Sequence, residues 1–193
     1  MRDEAYAELG DGSPAFTVSS SVESGGVRTV DGTFDVPNYL TGDGSPGNRF
    51  TLDTDGLPQQ NADQPVLPVP FHCAVPAAAT QPVPAIVFGH GLMGDRGQAD
   101  GLAFAAANGI AAVCAIDEIG MSTEDVPNLA AILADLSHFP EQADRMQQGH
   151  LNQQFLGRLL NSPEGFVTDA AFQTAAGAPI IAVGETQFVG NSQ

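Results

Sequence analysis

The sequence predicts an α/β fold in which parallel βαβ units form an incomplete sheet, preceded by a β-rich amino-terminal region. Two apolar runs, residues 85–88 and 110–116, contain no charged residue and suit strands that are buried on both faces. Between them, residues 98–107 are alanine-rich and helix-prone, and Asn108-Gly109 is a helix stop. Strand, helix and strand in this order make a βαβ unit, whose two strands run parallel.

The region before the first apolar run has a different character, and we divide the chain at residue 82. Residues 1–82 contain short β-prone pieces, such as residues 26–30 and 65–69, separated by Gly, Ser, Asp, Asn and Pro. Prolines favour edge strands and turns. We expect residues 1–82 to be a β-rich lead-in that supplies early antiparallel strands, and residues 83–193 to form the main α/β region.

A glycine-rich loop follows the first apolar run directly. Residues 89–94 read Gly-His-Gly-Leu-Met-Gly. Glycines placed after a buried strand let backbone N–H groups approach a ligand closely, which an oxyanion hole requires. The alternative is a plain strand-to-helix turn. In a parallel sheet this loop and the residues after the second run, which begin with Asp117, share one edge. We expect Asp117 to cap its strand end and hydrogen-bond a loop.

The segment after the second strand is expected to be helical. Ser122 with Asp125 resembles a helix cap, and a first helix would run from there to Phe139-Pro140. A second helix is predicted over residues 141–160. We treat residues 122–162 as a helical insertion, which either packs onto the sheet or covers the site as a lid.

The last part of the chain is predicted to contain one more helix and one more strand. A short helix is expected over residues 166–176, and residues 187–189 suit a strand. The chain then reads Gly190-Asn191-Ser192-Gln193, which matches the first four residues of a G-x-S-x-G nucleophile elbow. An ordinary turn is the alternative. The sequence is therefore expected to be a fragment that stops at the elbow.

These two motifs, in this order and with a βαβ unit between them, resemble an α/β-hydrolase over residues 83–193. Residues 90–94 resemble the oxyanion loop of bacterial lipases and esterases. The resemblance implies that Ser192 is the nucleophile and that the amides of Leu92 and Gln193 bind the oxyanion. It also implies that four further residues support the loops, namely His90, Gly91, Gly94 and Gly190.

The implied activity is that of a serine hydrolase which cleaves carboxylic esters through an acyl-enzyme on Ser192. The chain order of this fold is Ser, then Asp or Glu, then His. All four histidines precede Ser192, so the acid and the histidine of the triad are expected beyond Gln193, and the isolated fragment is expected to be inactive. One alternative is a non-catalytic, acidic surface or binding module with a degenerate hydrolase fold. Another is amide hydrolysis or acyl transfer on the same fold.

Composition limits the partners. Six Lys and Arg against 23 Asp and Glu give a formal net charge of -17, which repels nucleic acid and anionic membranes. No stretch approaches the roughly 20 apolar residues of a membrane span, and residues 1–4 lack the apolar region of a signal peptide. We expect a small-molecule or lipid ester as substrate, no cofactor, and the missing carboxyl-terminal part of the same protein as partner. The resemblance favours an extracellular, periplasmic or cell-envelope location.

The two cysteines and the possible metal ligands give weaker signals. Cys73 and Cys114 lie on separate predicted strands, and buried free thiols are the expected state, with a disulfide as the alternative. A metal site could use the carboxylates and imidazoles between residues 138 and 150. Because no tight ligand pattern occurs there, no metal is predicted.

Overall fold

The computed structural model describes residues 1–192, and Gln193 lies outside the described residues. Ten helices and strands organise the part described. They are α1 (Arg2–Leu9), β1 (Phe16–Ser24), β2 (Val27–Pro37), β3 (Val66–Pro76), β4 (Val83–Gly89), α2 (Ala103–Ala107), β5 (Ala112–Ile116), α3 (Val126–Ala134), α4 (Phe139–Asn161) and β6 (Ile181–Gly190). Short 3₁₀ helices connect several of them, and no helix in this part of the chain is long and apolar enough to cross a bilayer.

The six strands form one mixed sheet in the order β1-β2-β3-β5-β4-β6. The pairs β1–β2, β2–β3 and β3–β5 are antiparallel. Strand β4 lies parallel to both β5 and β6. Residues 83–116 therefore form the predicted βαβ unit, and the chain has an α/β architecture. The carboxyl ends of β4, β5 and β6 share one edge of the sheet, where loops can form a site.

The two faces of the sheet are covered by different elements. All five residues of β5 are buried, because its alternate side chains enter two separate apolar clusters. Cys114 and Ile116 belong to the larger cluster, and Val113 and Ala115 belong to the smaller one. This two-sided burial explains why the strand reads as a continuous apolar run.

Helix α4 packs onto the sheet, which is one of the two alternatives stated for residues 122–162. Five of its apolar side chains are buried in the larger cluster: Leu151, Phe155, Leu156, Leu159 and Leu160. The helix begins two residues before the predicted start, at Phe139, because a proline at its first turn needs no amide partner there. Helix α3 differs, since Ile132 is its one buried residue and Leu133 is 71% exposed.

A close approach between α4 and the loop after β5 depends on two glycines. A Cβ at Gly149 would lie 2.5 Å from the carbonyl oxygen of Ile119, and one at Gly120 would lie 2.4 Å from the amide nitrogen of Met146. Gly120 also has a φ of 88°, in the left-handed region that favours glycine. These contacts hold the helix directly against the edge that carries the candidate site.

The expectation of free thiols is wrong. Cys73 and Cys114 form a disulfide between β3 and β5, with their Cα atoms 4.1 Å apart. The two residues are directly paired partners in the antiparallel ladder. The sulfur atoms meet because the register of β3 and β5 pairs Cys73 with Cys114. That register cannot be deduced from either strand's sequence.

Three other segments differ from their predicted structure. Residues 2–9 form a helix that was not predicted, in a region expected to be β-rich. Residues 98–107 divide into a 3₁₀ helix over Arg96–Leu102 and the short helix α2. Residues 166–176 contain two 3₁₀ turns in place of one helix, and the exposed Ala175–Gly177 stretch explains why no longer helix forms.

His72 joins the lead-in strands to the α/β region. Its Nδ1 atom lies 2.7 Å from Asp31 Oδ1 on β2, and its Nε2 atom lies 3.1 Å from Asp100 Oδ1. Burial lowers the pKa of the ring, but the hydrogen bonds and charges of the two carboxylates outweigh it. The pKa of His72 is therefore raised from its ordinary value of 6.5.

A raised pKa stabilises the folded protein when the ring is protonated. The contribution is fully present below the unfolded value and is lost as pH rises through the folded value. We expect His72→Gln to lower the free energy of unfolding more at about pH 5.5 than at about pH 9. Urea unfolding of wild type and variant at both pH values measures this difference. If His72→Gln lowers the free energy of unfolding equally at both pH values, or more at high pH, the raised pKa of His72 is contradicted.

Candidate active site

Strand β6 leads directly into the Gly190-Asn191-Ser192 turn. Ser192 is exposed and has a φ of 63°. Two non-glycine residues of the described chain have a positive φ, and Met93 in the glycine-rich loop is the other. Positive φ is costly for a residue with a Cβ and concentrates at functional sites. Ser192 therefore carries backbone strain at the carboxyl end of a strand.

The glycine-rich loop and this turn are brought together by the pairing of β4 with β6. Gly89 is the register partner of Gly190, and the Asn191 amide donates to the Gly89 carbonyl at 2.9 Å. A Cβ built on Gly91 would lie 3.1 Å from the Asn191 carbonyl oxygen and 3.7 Å from Ser192 Cβ. Gly91 therefore lets the loop backbone reach the serine. Two motifs that lie about a hundred residues apart in sequence thus form one site.

The amides of the loop are used unequally. Gly91 N–H donates to Gln98 Oε1 at 3.2 Å, Met93 N–H to the Met121 carbonyl at 2.8 Å, and Gly94 N–H to the Gly91 carbonyl at 2.8 Å. The Leu92 amide makes no hydrogen bond to any of residues 1–192. Leu92 is also 67% exposed. Its N–H is therefore available to a ligand, whereas those of Gly91, Met93 and Gly94 are already used.

The direction of the Leu92 amide is set by the carbonyl of the same peptide. The Gly91 carbonyl oxygen accepts from His90 Nδ1 at 2.9 Å and from the Gly94 amide. In a planar trans peptide the C=O and the following N–H point in opposite directions. Holding the Gly91 oxygen therefore also fixes the Leu92 N–H.

His90 is fully buried and its tautomer follows from its partners. The Glu118 amide donates to His90 Nε2 at 2.8 Å, so Nε2 is the unprotonated acceptor. Nδ1 therefore carries the proton and donates a hydrogen bond to the Gly91 carbonyl. The ring thereby connects the loops after β4 and β5. Both of its ring nitrogens are engaged in these hydrogen bonds.

The strained Met93 is held by the segment that follows β5. Thr123 donates its hydroxyl to the Met93 carbonyl at 3.0 Å and its amide to the Gly94 carbonyl at 2.8 Å. Asp125 orders this segment by accepting the Ser122 amide at 3.0 Å and its hydroxyl at 2.8 Å. The cap predicted at Ser122 and Asp125 is therefore present, and it orders the segment that holds the glycine-rich loop as well as a helix start.

A buried ion pair holds Asp125. Arg145 Nε on α4 donates to Asp125 Oδ1 at 2.8 Å, and each side chain is 1% exposed. Arg145 also binds Glu124, at 2.6 Å. Asp117 accepts the Arg96 amide at 2.7 Å, which is the strand-end capping role expected for it.

Each of the four histidines is engaged away from Ser192. His72 and His90 have the partners described above. His138 Nδ1 lies 2.6 Å from Glu141 Oε1, and His150 Nδ1 lies 2.8 Å from Glu118 Oε1. The hydrogen bond to Glu141 raises the pKa of His138. Within residues 1–192, Ser192 makes no hydrogen bond to a histidine.

Sequence reasoning missed two residues of this site. Gln98 accepts hydrogen bonds from both loops, and Glu118 joins His90 to the strand end. A lone glutamine in a helix-prone stretch has no sequence signal. Glu118 follows the apolar run at the carboxyl end of β5, and that position could have drawn attention to it. Gln193, predicted as the second oxyanion donor, lies outside the described residues.

No protein-family model matches the chain, and no curated protein matches it in sequence. Among solved structures, a candidate acetyl xylan esterase from Bacteroides fragilis is 13% identical, with a TM-score of 0.49, and the match covers 99% of this chain and 45% of that one. The acetyl xylan esterase of Paenibacillus sp. R4 is 22% identical, with a TM-score of 0.37, over 62% of this chain and 30% of that one. The rice cell wall degrading esterase LipA of Xanthomonas oryzae is 16% identical, with a TM-score of 0.27, over 72% and 35%.

The chain thus spans less than half the length of these esterases. Because identities and TM-scores are low, we take no residue role, substrate or partner from them. The functional proposal rests on the geometry of residues 1–192.

Proposed function

We propose that this chain carries the nucleophile and part of the oxyanion hole of a serine hydrolase that cleaves carboxylic esters. The observation that supports this most is the strained Ser192, with φ 63°, at the end of β6 and beside Gly91 of the oxyanion loop. An ordinary turn needs neither a strained serine nor an adjacent glycine loop with an unused amide.

In the proposed reaction, Ser192 Oγ attacks the ester carbonyl while a histidine removes its proton. The carbonyl oxygen becomes an oxyanion, which accepts hydrogen bonds from the amides of Leu92 and Gln193. Collapse of this intermediate expels the alcohol and leaves an acyl-enzyme, which water then hydrolyses. The acid and the histidine are supplied by sequence after Gln193 in the full-length protein, so residues 1–193 alone are inactive.

A fluorophosphonate probe tests this proposal, because it reacts covalently with activated serines. We expect the full-length protein to be labelled on the peptide that contains Ser192, as mapped by mass spectrometry, and residues 1–193 alone to remain unlabelled. Folded, full-length protein that is not labelled at Ser192 would refute the proposal. Labelling at another serine would refute the assignment of the nucleophile.

The nucleophile does not determine which bond is cleaved or which group accepts the acyl group. Amide hydrolysis or transfer to an acceptor other than water would use the same serine and oxyanion donors. A non-catalytic binding module, by contrast, would give no labelling at all. Labelling followed by assays with ester and amide substrates of the same acyl group distinguishes the three.

A further inference from the structure

Gln98 joins the two motifs of the candidate site, and neither motif contains it. It lies in the 3₁₀ helix Arg96–Leu102, which Asp95 caps by accepting the Gly97 amide at 2.8 Å. Its neighbour Ala99 is fully buried and fixes the helix against the sheet. The side chain of Gln98 is thus presented from a short, anchored element.

One oxygen of this side chain accepts from both loops. Gln98 Oε1 receives the Gly91 amide at 3.2 Å and the side-chain amide of Asn191 at 3.4 Å. Gly91 precedes the proposed oxyanion donor, and Asn191 precedes the proposed nucleophile. Gln98 is the side chain within residues 1–192 that hydrogen-bonds both loops.

The last glycine of the loop, Gly94, makes room for this contact. A Cβ on Gly94 would lie 2.4 Å from Gln98 Nε2 and 2.9 Å from its Cδ atom. Any other residue at position 94 would therefore push the glutamine away. Two close contacts explain why glycines stand at both ends of Gly-Leu-Met-Gly: Gly91 lies against Asn191, and Gly94 lies against Gln98.

We infer that Gln98 is a positioning residue for acylation of Ser192, an inference that rests on the proposed function. Gln98 accepts the Gly91 amide and thereby fixes the His90–Gly91 peptide. His90 fixes the Gly91 carbonyl, which belongs to the next peptide, Gly91–Leu92. The bond to Asn191 then holds the nucleophile turn at a set distance from the Leu92 donor. Because the oxyanion is stabilised only where a donor meets it, a small displacement of either loop lowers the rate of the chemical step.

The test uses the full-length protein with p-nitrophenyl acetate as substrate. Gln98→Met keeps the length of the side chain and removes the acceptor oxygen. We expect its kcat to fall roughly 10- to 100-fold, which is the scale of a misplaced catalytic group, with KM and the unfolding midpoint close to those of wild type. Gln81→Met is the matched control, because Gln81 is an exposed glutamine outside the site, and it should leave kcat unchanged.

A double-mutant cycle with Asn191→Ala tests the link between the loops and does not depend on one variant alone. If Gln98 acts partly by holding Asn191, the two losses in kcat are not additive, whereas independent sites would give additive losses. Suppose that the probe labels Ser192 of the wild type. A fully active Gln98→Met variant, or additive losses in kcat in the cycle, would then overturn the role of Gln98 and leave the proposed function intact. Unlabelled wild type would overturn both.

Discussion

Ser192→Ala in the full-length protein should lower kcat/KM for p-nitrophenyl acetate by roughly 10³-fold or more. The proposed acyl-enzyme forms on the Ser192 hydroxyl, which this substitution removes. The remaining activity would come from substrate binding and the oxyanion donors. Steady-state kinetics of purified wild type and variant, at matched concentration, measure the ratio.

The control for this experiment is Ser24→Ala. Ser24 is exposed at the end of β1, at the opposite side of the sheet order from β6, so its loss should leave kcat/KM unchanged. An unfolding curve for Ser192→Ala that matches wild type would exclude a folding defect as the cause. A Ser192→Ala variant with wild-type activity would show that the esterase reaction, if present, uses another residue.

The second large effect concerns stability. Reduction of the Cys73–Cys114 disulfide should lower the free energy of unfolding by about 4 kcal/mol, the loop-closure entropy expected for such a loop. The two cysteines are 41 residues apart in sequence, so the bond closes a long loop in the unfolded chain. Both are fully buried, so a reductant must be equilibrated with the unfolded protein before refolding.

Urea unfolding with and without reductant measures this difference. The double variant Cys73→Ala and Cys114→Ala is the control, because its unfolding should not respond to reductant at all. Wild type that unfolds at the same urea concentration in both conditions would show that the bond contributes nothing.

Helix α3 shows what sequence pattern cannot decide. Its apolar residues at helical spacing predict a buried face, but Leu133 and Val126 are largely exposed and Ile132 alone is buried. Apolar periodicity predicts that a helix forms, but it does not predict which part of the protein packs against its apolar face. Helix α4, which follows it, has a smaller proportion of apolar residues but buries five of them in the larger cluster. The close contacts at Gly149 and Gly120 bring it against the loop after β5.

The candidate site shows the same division. The buried apolar run over residues 85–88 placed the glycine-rich loop at a strand end, and the strand predicted over residues 187–189 did the same for the serine motif. The sequence could not identify the role of Gln98 or the Cys73–Cys114 disulfide, because both depend on which side chains meet in the folded protein. Register is a property of paired strands, and no single strand carries it.

The sequence by itself determined the α/β order of strands and helices, the acidic surface, and the two motifs, since these follow from composition and local spacing. Only the tertiary structure decided that Gly91 lies against Ser192, that the Leu92 amide is left without a partner in residues 1–192, and that Cys73 meets Cys114. The physical reason is that each of these depends on contacts between residues that are distant in sequence. The pairing of β4 with β6 and of β3 with β5 creates those contacts.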